Sequence, residues 1–248
     1  MAGASRTRFD FGPLAASYDS FRPVDENWRR VYALLEEVGD FTGRKVLDVG
    51  CGTGRLVAAL ADGGARVWGV DASPEMVEEA RRTVGSRGGV RVGVAEELPF
   101  KDGWFERAVM RLVAHHVDRP RSFREIRRVL APGGRFVIAT FDANRFGEFW
   151  LTPYFPSIPI IDAERFPTAE MLEDELQTAG FRPCEVRRLT QRDTVSRADG
   201  LAKIRGRYIS TLALVDEPEF AAGLARAERE LPDTTQTELH WLVVAAER

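Results

Sequence analysis

Gly50-Cys51-Gly52-Thr53-Gly54 lies between a short apolar run, Lys45–Val49, and a helical stretch, Leu56–Ala61. Glycine at that density serves a tight turn and lets a ligand approach the backbone closely. The helix that starts just beyond it offers unpaired N–H donors and the positive end of a dipole. Asp48 stands two residues before the first glycine, and Asp71 follows the next apolar run, Arg66–Val70. A carboxylate at a second strand tip can accept hydrogen bonds from both hydroxyls of an adenosine ribose. The pairing of glycine turn and downstream acid is therefore more specific than either signal alone.

Positioning these groups needs strands that end at one edge. Apolar residues recur at helical spacing from Glu26 to Val38, and Gly39 is the expected stop. Ser73-Pro74-Glu75 opens a helix after Asp71, with serine as the cap and proline in the first turn. Val90–Val94, Arg107–Arg111 and Arg135–Thr140 read as further strands, Ser122–Leu130 as a helix, and Pro132-Gly133-Gly134 as a turn. Strands alternating with helices imply a parallel sheet with helices on both faces. After Phe141 the cadence changes: 142–167 reads as an aromatic, proline-bearing loop and Thr168–Ala179 as a helix. Cys184–Leu189 reads as a strand, 197–230 as two helices, and His240–Ala246 as a closing strand. The expectation is one α/β domain over 1–248, with a cofactor core at 40–141 and substrate-covering insertions at 142–167 and 191–238.

Composition narrows the function. The 248 residues carry 35 Lys+Arg against 38 Asp+Glu, a net charge of −3, without the basic surplus of a nucleic-acid or anionic-membrane binder. Two distant cysteines, Cys51 and Cys184, fit neither a disulfide framework nor a metal site, so no metal is expected. The first eight residues hold no apolar run, and no stretch approaches 18 apolar residues. The expected setting is cytoplasmic, and nothing specifies an oligomeric state.

A dinucleotide turn reads G-x-G-x-x-G, whereas the third glycine here is Gly54 and position 55 is arginine. Val46-Leu47-Asp48-Val49-Gly50-Cys51-Gly52-Thr53-Gly54 instead resembles the first motif of class I S-adenosylmethionine-dependent methyltransferases. Val70-Asp71-Ala72-Ser73-Pro74-Glu75-Met76 resembles that family's ribose-binding segment, and Ala95-Glu96-Glu97-Leu98-Pro99-Phe100 its adenine-side segment. Arg128 to Arg135 resembles the turn into its fifth strand. The likeness covers 40–141, with looser matches at 166–181 and 241–246, and is of the small-molecule, quinone-biosynthesis kind. It implies a Rossmann-like sheet of seven mostly parallel strands with a helical cap over the active site.

The resemblance also implies residue roles. Gly50, Cys51 and Gly52 would contact the methionyl part of S-adenosylmethionine, and Asp48 would orient their loop. Asp71 would hold the ribose, with Ala72 and Met76 near the adenine and Ala95 and Glu96 bordering it. Val94 stands where relatives often carry the aspartate that binds the adenine amino group. Arg111 is either a solvated strand end or a contact for the cofactor carboxylate. Arg22, in a segment that resembles one folding over the cofactor, is either that second contact or an ordinary surface arginine. His116 is the candidate general base, needed only if the accepting atom carries a proton; its other reading is structural. Tyr18, Trp150, Tyr154 and Tyr208 are the candidate acceptor contacts, and the aromatics of 142–166 either cover the acceptor or seal the loop. The implied reaction is methyl transfer to a small-molecule oxygen, nitrogen or carbon, yielding S-adenosylhomocysteine. A non-catalytic S-adenosylmethionine-binding protein and an NAD-dependent oxidoreductase are the alternatives.

Overall fold

The computed structural model describes residues 10–12, 15 and 18–248. The leading stretch 1–9, with Phe9, lies outside them. The elements in chain order are α1 (Glu26–Gly39), β1 (Lys45–Val49), α2 (Arg55–Asp62), β2 (Arg66–Asp71), α3 (Pro74–Val84), β3 (Gly88–Val92), β4 (Phe105–Arg111) and α4 (Arg119–Val129). There follow β5 (Leu130–Phe141), α5 (Ile158–Arg165), α6 (Ala169–Thr178), β6 (Arg182–Ser196), α7 (Arg197–Arg205), α8 (Glu217–Glu230) and β7 (Thr234–Glu247).

The sheet order is β3-β2-β1-β4-β5-β7-β6, parallel except for β7, which runs antiparallel to both neighbours. Apolar residues of β1, β4, β5 and β7 alternate between two cores. One holds Leu47, Ala108, Met110, Phe136 and Ile138 under α4 and α6; the other holds Val46, Val109, Val137 and Ala139 under α1 and α2. Because β1 and β4 lie adjacent at the centre while their connections diverge to opposite faces, a crevice opens at their C-terminal tips.

Several boundaries differ from expectation. Gly39 is the last residue of α1, not its stop; Asp40 takes the left-handed turn at φ 49°. Glycine is needed at 39 because a Cβ there would lie 2.2 Å from the Phe41 ring. Strand β3 begins at Gly88, where a Cβ would meet the Val67 carbonyl at 2.8 Å, so the glycines allow strand contact rather than break it. Pro132-Gly133-Gly134 is a bulge inside β5, where pairing jumps from Phe105↔Leu130 to Arg107↔Arg135.

The larger difference lies beyond the sheet. β6 and β7 pair from Arg182↔Glu247 to Ser196↔Thr234, so 191–196 and 234–238 are strand and not insertion. Their outer parts, 191–196 and 234–239, pair only with each other and carry one apolar residue apiece, Val195 and Leu239, too few to mark a strand in sequence. α7 and α8 hang from this ribbon. They pack on Trp150, Leu151, Phe155 and Ile158 from the aromatic segment, which itself contains α5, to form a separate apolar cluster. That cluster is a cap over the strand tips.

Candidate functional site

The glycine turn is shaped by its neighbours. Gly50 N and Cys51 N donate to Val70 O at 2.7 and 3.0 Å, tying the turn to the end of β2. Gly50, Gly52 and Gly54 all have positive φ, 74°, 52° and 81°. A Cβ on Gly50 would strike Val113 at 2.3 Å and one on Gly54 would meet Ala80 Cα at 3.0 Å. A Cβ on Gly52 would meet nothing within 4 Å: it would point into open cavity. Asp71 accepts from Gly52 N (Oδ2, 2.9 Å) and Ser73 N (Oδ1, 3.0 Å), so one carboxylate fixes both the turn and the cap of α3.

Two cavities flank this turn. The first, about 400 Å³, is bordered by Gly50, Gly52, Asp71, Ala72, Met76 and Ala95, so it gathers the predicted adenosine-side residues. Glu96 is not among its walls: its Oε1 accepts from Asp118 N at 2.9 Å, at the start of α4. The second, about 350 Å³, runs from Asp48 and Cys51 up to the cap and is bordered by Trp150 and Tyr208. Tyr154 reaches neither cavity and packs within the cap's own apolar cluster. The two cavities share Phe11, Tyr18, Gly50, Gly52, Arg111, Leu112 and His116, and so meet at the tips of β1 and β4.

Charge at that junction is sparingly compensated. Asp48 is 2% exposed, and neither of its oxygens accepts a hydrogen bond among the described residues. Burial pushes its carboxyl up to about 7, with nearby Asp71 adding to the rise and Arg111 opposing it. Arg111 is sunk at the end of β4, its guanidinium 5.0 Å from the Trp241 ring, and it donates no hydrogen bond among the described residues. Burial pulls its ionisation downward, while Tyr18 and Asp48 oppose that. A buried acid and a half-buried guanidinium thus lie near each other, neither with a hydrogen-bond partner among the described residues.

Arg22 differs. Its NH1 donates to Tyr18 O at 2.8 Å, its NH2 donates to Tyr208 O, and its plane lies 3.8 Å over the Tyr18 ring. Asp19 pairs with Arg55 at 2.8 Å and accepts from Thr53 Oγ1 at 3.0 Å. Arg22 therefore ties the segment 18–22 to the cap and borders the second cavity, in common with Asp48, Gly50, Cys51 and Gly52.

The histidines form a stack. His115 lies 3.8 Å from the Phe166 ring and 3.9 Å from His116, which meets Phe11 edge-on at 4.9 Å. Burial, then the Arg165 charge, pulls His116 down to about 3, and burial holds His115 well below its ordinary range. A neutral imidazole of such low basicity is a poor proton acceptor near pH 7. Among the described residues one other group, Glu148, Glu238 and His240, brings potential metal-ligand atoms within 4.8 Å. Arg145 and Arg192 already pair with its two carboxylates, each at 2.7 Å.

Sequence reasoning missed Asp162, Phe141, Phe166 and Trp241 as walls of the second cavity. Asp162 fell in a segment read as loop, and only the helical frame of α5 turns it inward.

Known proteins can now be set against this geometry. The methyltransferase domain family matches residues 47–138. The demethylmenaquinone methyltransferase of Clavibacter sepedonicus is 30% identical over 207 residues, spanning 73% of this chain and 84% of that one. The chain belongs to the class I S-adenosylmethionine-dependent methyltransferases. Within them it sits with the quinone-biosynthesis-like members, and its cofactor is S-adenosylmethionine. The malonyl-[acyl-carrier protein] O-methyltransferase of Geobacter sulfurreducens is 34% identical over 197 residues, 75% of this chain and 73% of its own. In fold, the methyltransferase superposes on an S-adenosylmethionine-dependent methyltransferase from Aquifex aeolicus with a TM-score of 0.60 at 17% identity, covering 97% and 99% of the two chains. No helix among the described residues is long and apolar enough to cross a membrane.

Proposed function

We propose that this methyltransferase methylates a small, largely apolar and planar acceptor held in the cavity under the cap. The carrying observation is the junction: the glycine-turn cavity and the ring-lined cavity adjoin, sharing Gly50, Gly52, Arg111 and His116 as walls. Phe141, Phe146, Phe149, Trp150, Phe166 and Trp241 line the acceptor side, an enclosure suited to a flat ring. The demethylmenaquinone in the name of one relative is a ring acceptor and supports this reading, whereas the malonyl group in the name of another is not a ring.

The residues fit the cofactor. Asp71, at the tip of β2, is held by Gly52 N and Ser73 N and borders the first cavity, where its carboxylate would accept from the ribose hydroxyls. Ala72, Met76 and Ala95 wall the adenine end. Gly52 leaves open the space a side chain would fill. Asp48 and Arg111, a carboxylate and a guanidinium without hydrogen-bond partners, complement the ammonium and carboxylate of an amino-acid head group.

S-adenosylmethionine, when bound, supplies a methyl group made electrophilic by the sulfonium. The protein supplies position. Gly50, Cys51 and Gly52 hold the head group at the junction, and the cap seats the acceptor against it, so that reacting atoms meet about 3–3.5 Å apart. The neutral His116 orients and packs rather than taking a proton. Segment 18–22, fastened to both the glycine turn and the cap, closes the junction from water. Two unpaired cysteines, Cys51 buried and Cys184 exposed, support a reducing, cytoplasmic setting.

Calorimetric titration with S-adenosylmethionine, S-adenosylhomocysteine and NADH tests the cofactor assignment, followed by an acceptor screen with radiolabelled methyl. Micromolar binding of the first two, no binding of NADH, and label transfer to ring-bearing acceptors are the expected results. Label transfer confined to small polar acceptors would overturn the acceptor reading.

A further inference from the structure

The acceptor cavity is walled by rings, which supply area and little direction. Most of its polar side chains are occupied. Gln191 Oε1 accepts from Trp241 Nε1 at 3.1 Å. Asp142 takes Asn144 N and Arg188, each at 3.1 Å. The Tyr208 hydroxyl accepts from Trp150 Nε1 at 3.2 Å.

Asp162 is the exception on the cap wall. It comes from α5 and is only 5% exposed, yet it borders this cavity. Its Oδ1 accepts from Thr211 Oγ1 at 2.6 Å and lies 3.5 Å from Arg165 NH1. Arg165 donates to Thr211 Oγ1 and Ser210 Oγ, at 3.2 and 3.0 Å, which leaves the Thr211 hydroxyl proton for Oδ1. Oδ2 accepts no hydrogen bond among the described residues and is not among the atoms sealed from the surface. One oxygen is thus braced, and the other is accessible on a residue that borders the cavity.

We propose that Asp162 reads the acceptor: its free Oδ2 accepts a hydrogen bond from an O–H or N–H on an otherwise apolar ring. It thereby selects hydroxylated or aminated rings over their hydrocarbon counterparts. This rests on the reading that the ring-lined cavity takes the methyl acceptor.

The charged and titratable groups that act on Asp162 are Arg165 on its own helix and Tyr208 on the segment before α8; His115 and His116, held neutral by burial, border the same cavity. Burial raises its carboxyl to about 6, with Thr211 and Arg165 opposing the rise. At pH 7.5 it is an acceptor; below 6 it carries a proton and the preference should fade.

The test uses the full chain saturated with S-adenosylhomocysteine and two isosteric probes, 2-naphthol and 2-methylnaphthalene, titrated by calorimetry at pH 7.5. The wild type should bind 2-naphthol roughly tenfold more tightly, as expected for one hydrogen bond to a charged acceptor. Asp162→Ala should bring the two affinities together, while Asp162→Asn, which keeps an acceptor oxygen, should retain a preference of a few-fold. Lowering the pH to 5 should erode the wild-type preference and leave that of Asp162→Ala unchanged. Unaltered thermal unfolding and S-adenosylhomocysteine affinity in the variants would show that the fold is intact. A merely structural Asp162 would weaken both probes together and leave their ratio alone, which overturns the proposal. Equal wild-type affinity for the two probes also overturns it and leaves the ring-acceptor reading standing. Failure of both probes to bind removes that reading and this proposal with it.

Discussion

Replacing Gly52 with alanine separates what the turn costs from what it admits. Gly52 has φ 52°, and a Cβ there would meet no atom within 4 Å. The folded protein therefore bears only the left-handed backbone penalty of about 1–2 kcal/mol, which in a chain of this length lowers Tm by roughly 2–8 °C. The new methyl projects into the cavity that receives the cofactor, where overpacking costs about 1–3 kcal/mol, or roughly 5- to 150-fold in affinity. Gly54→Ala is the control. Its φ is 81°, its Cβ would sit 3.0 Å from Ala80 Cα, and it borders neither cavity. That variant should lose more stability than Gly52→Ala, because clash adds to backbone strain, and should keep near-normal affinity while folded. Scanning calorimetry gives the stabilities, and titration with S-adenosylhomocysteine at 15 °C gives the affinities. Gly52→Ala binding within twofold of wild type would refute the placement of the cofactor against this turn.

Asp71→Ala should weaken S-adenosylhomocysteine roughly 10- to 100-fold, since one or two hydrogen bonds to a charged acceptor are lost; unchanged affinity by calorimetry would remove Asp71 from the ribose. His116→Gln should leave the shape of the kcat/KM pH profile between 5.5 and 9 intact, because an imidazole pulled down to about 3 does not titrate there; a lost limb near pH 6.5 would restore it as a base. Asp48 is raised to about 7 by burial, so between the unfolded carboxyl range and pH 7 the folded chain keeps a proton that the unfolded chain has lost. Its contribution to stability therefore falls as pH rises through that window, by roughly 4 kcal/mol at most. Asp48→Asn should gain Tm relative to wild type at pH 8 compared with pH 5, and a pH-independent difference would contradict the assignment.

The core was legible because each of its signals is local. A glycine turn after an apolar strand, serine before proline at the start of α3, and an acid at the end of β2 each follow from a few adjacent residues. The cap was not, because its supports are non-local. The outer β6–β7 ribbon is mostly polar on both strands, and its 14-residue pairing is visible only when Ser196 is brought to Thr234 across two helices. With the ribbon read as insertion and α5 as loop, Asp162 had no frame to place it inward.

The two arginines show the same limit at the level of a single site. Both Arg22 and Arg111 have the residue type for a carboxylate, and type alone does not rank them. Donor count does. Arg22 sends one nitrogen to Tyr18 O and another to Tyr208 O, and its face covers the Tyr18 ring. Its charge is thereby committed to joining the N-terminal segment to the cap. Arg111 has a ring beside it and no hydrogen bond among the described residues, and it stands on the strand tip where the two cavities meet, with Asp48 below. A guanidinium that burial disfavours and no carbonyl satisfies gains most from an incoming anion. Under the proposed function this is a division of labour: Arg22 would close the chamber, and Arg111 would stay available inside it.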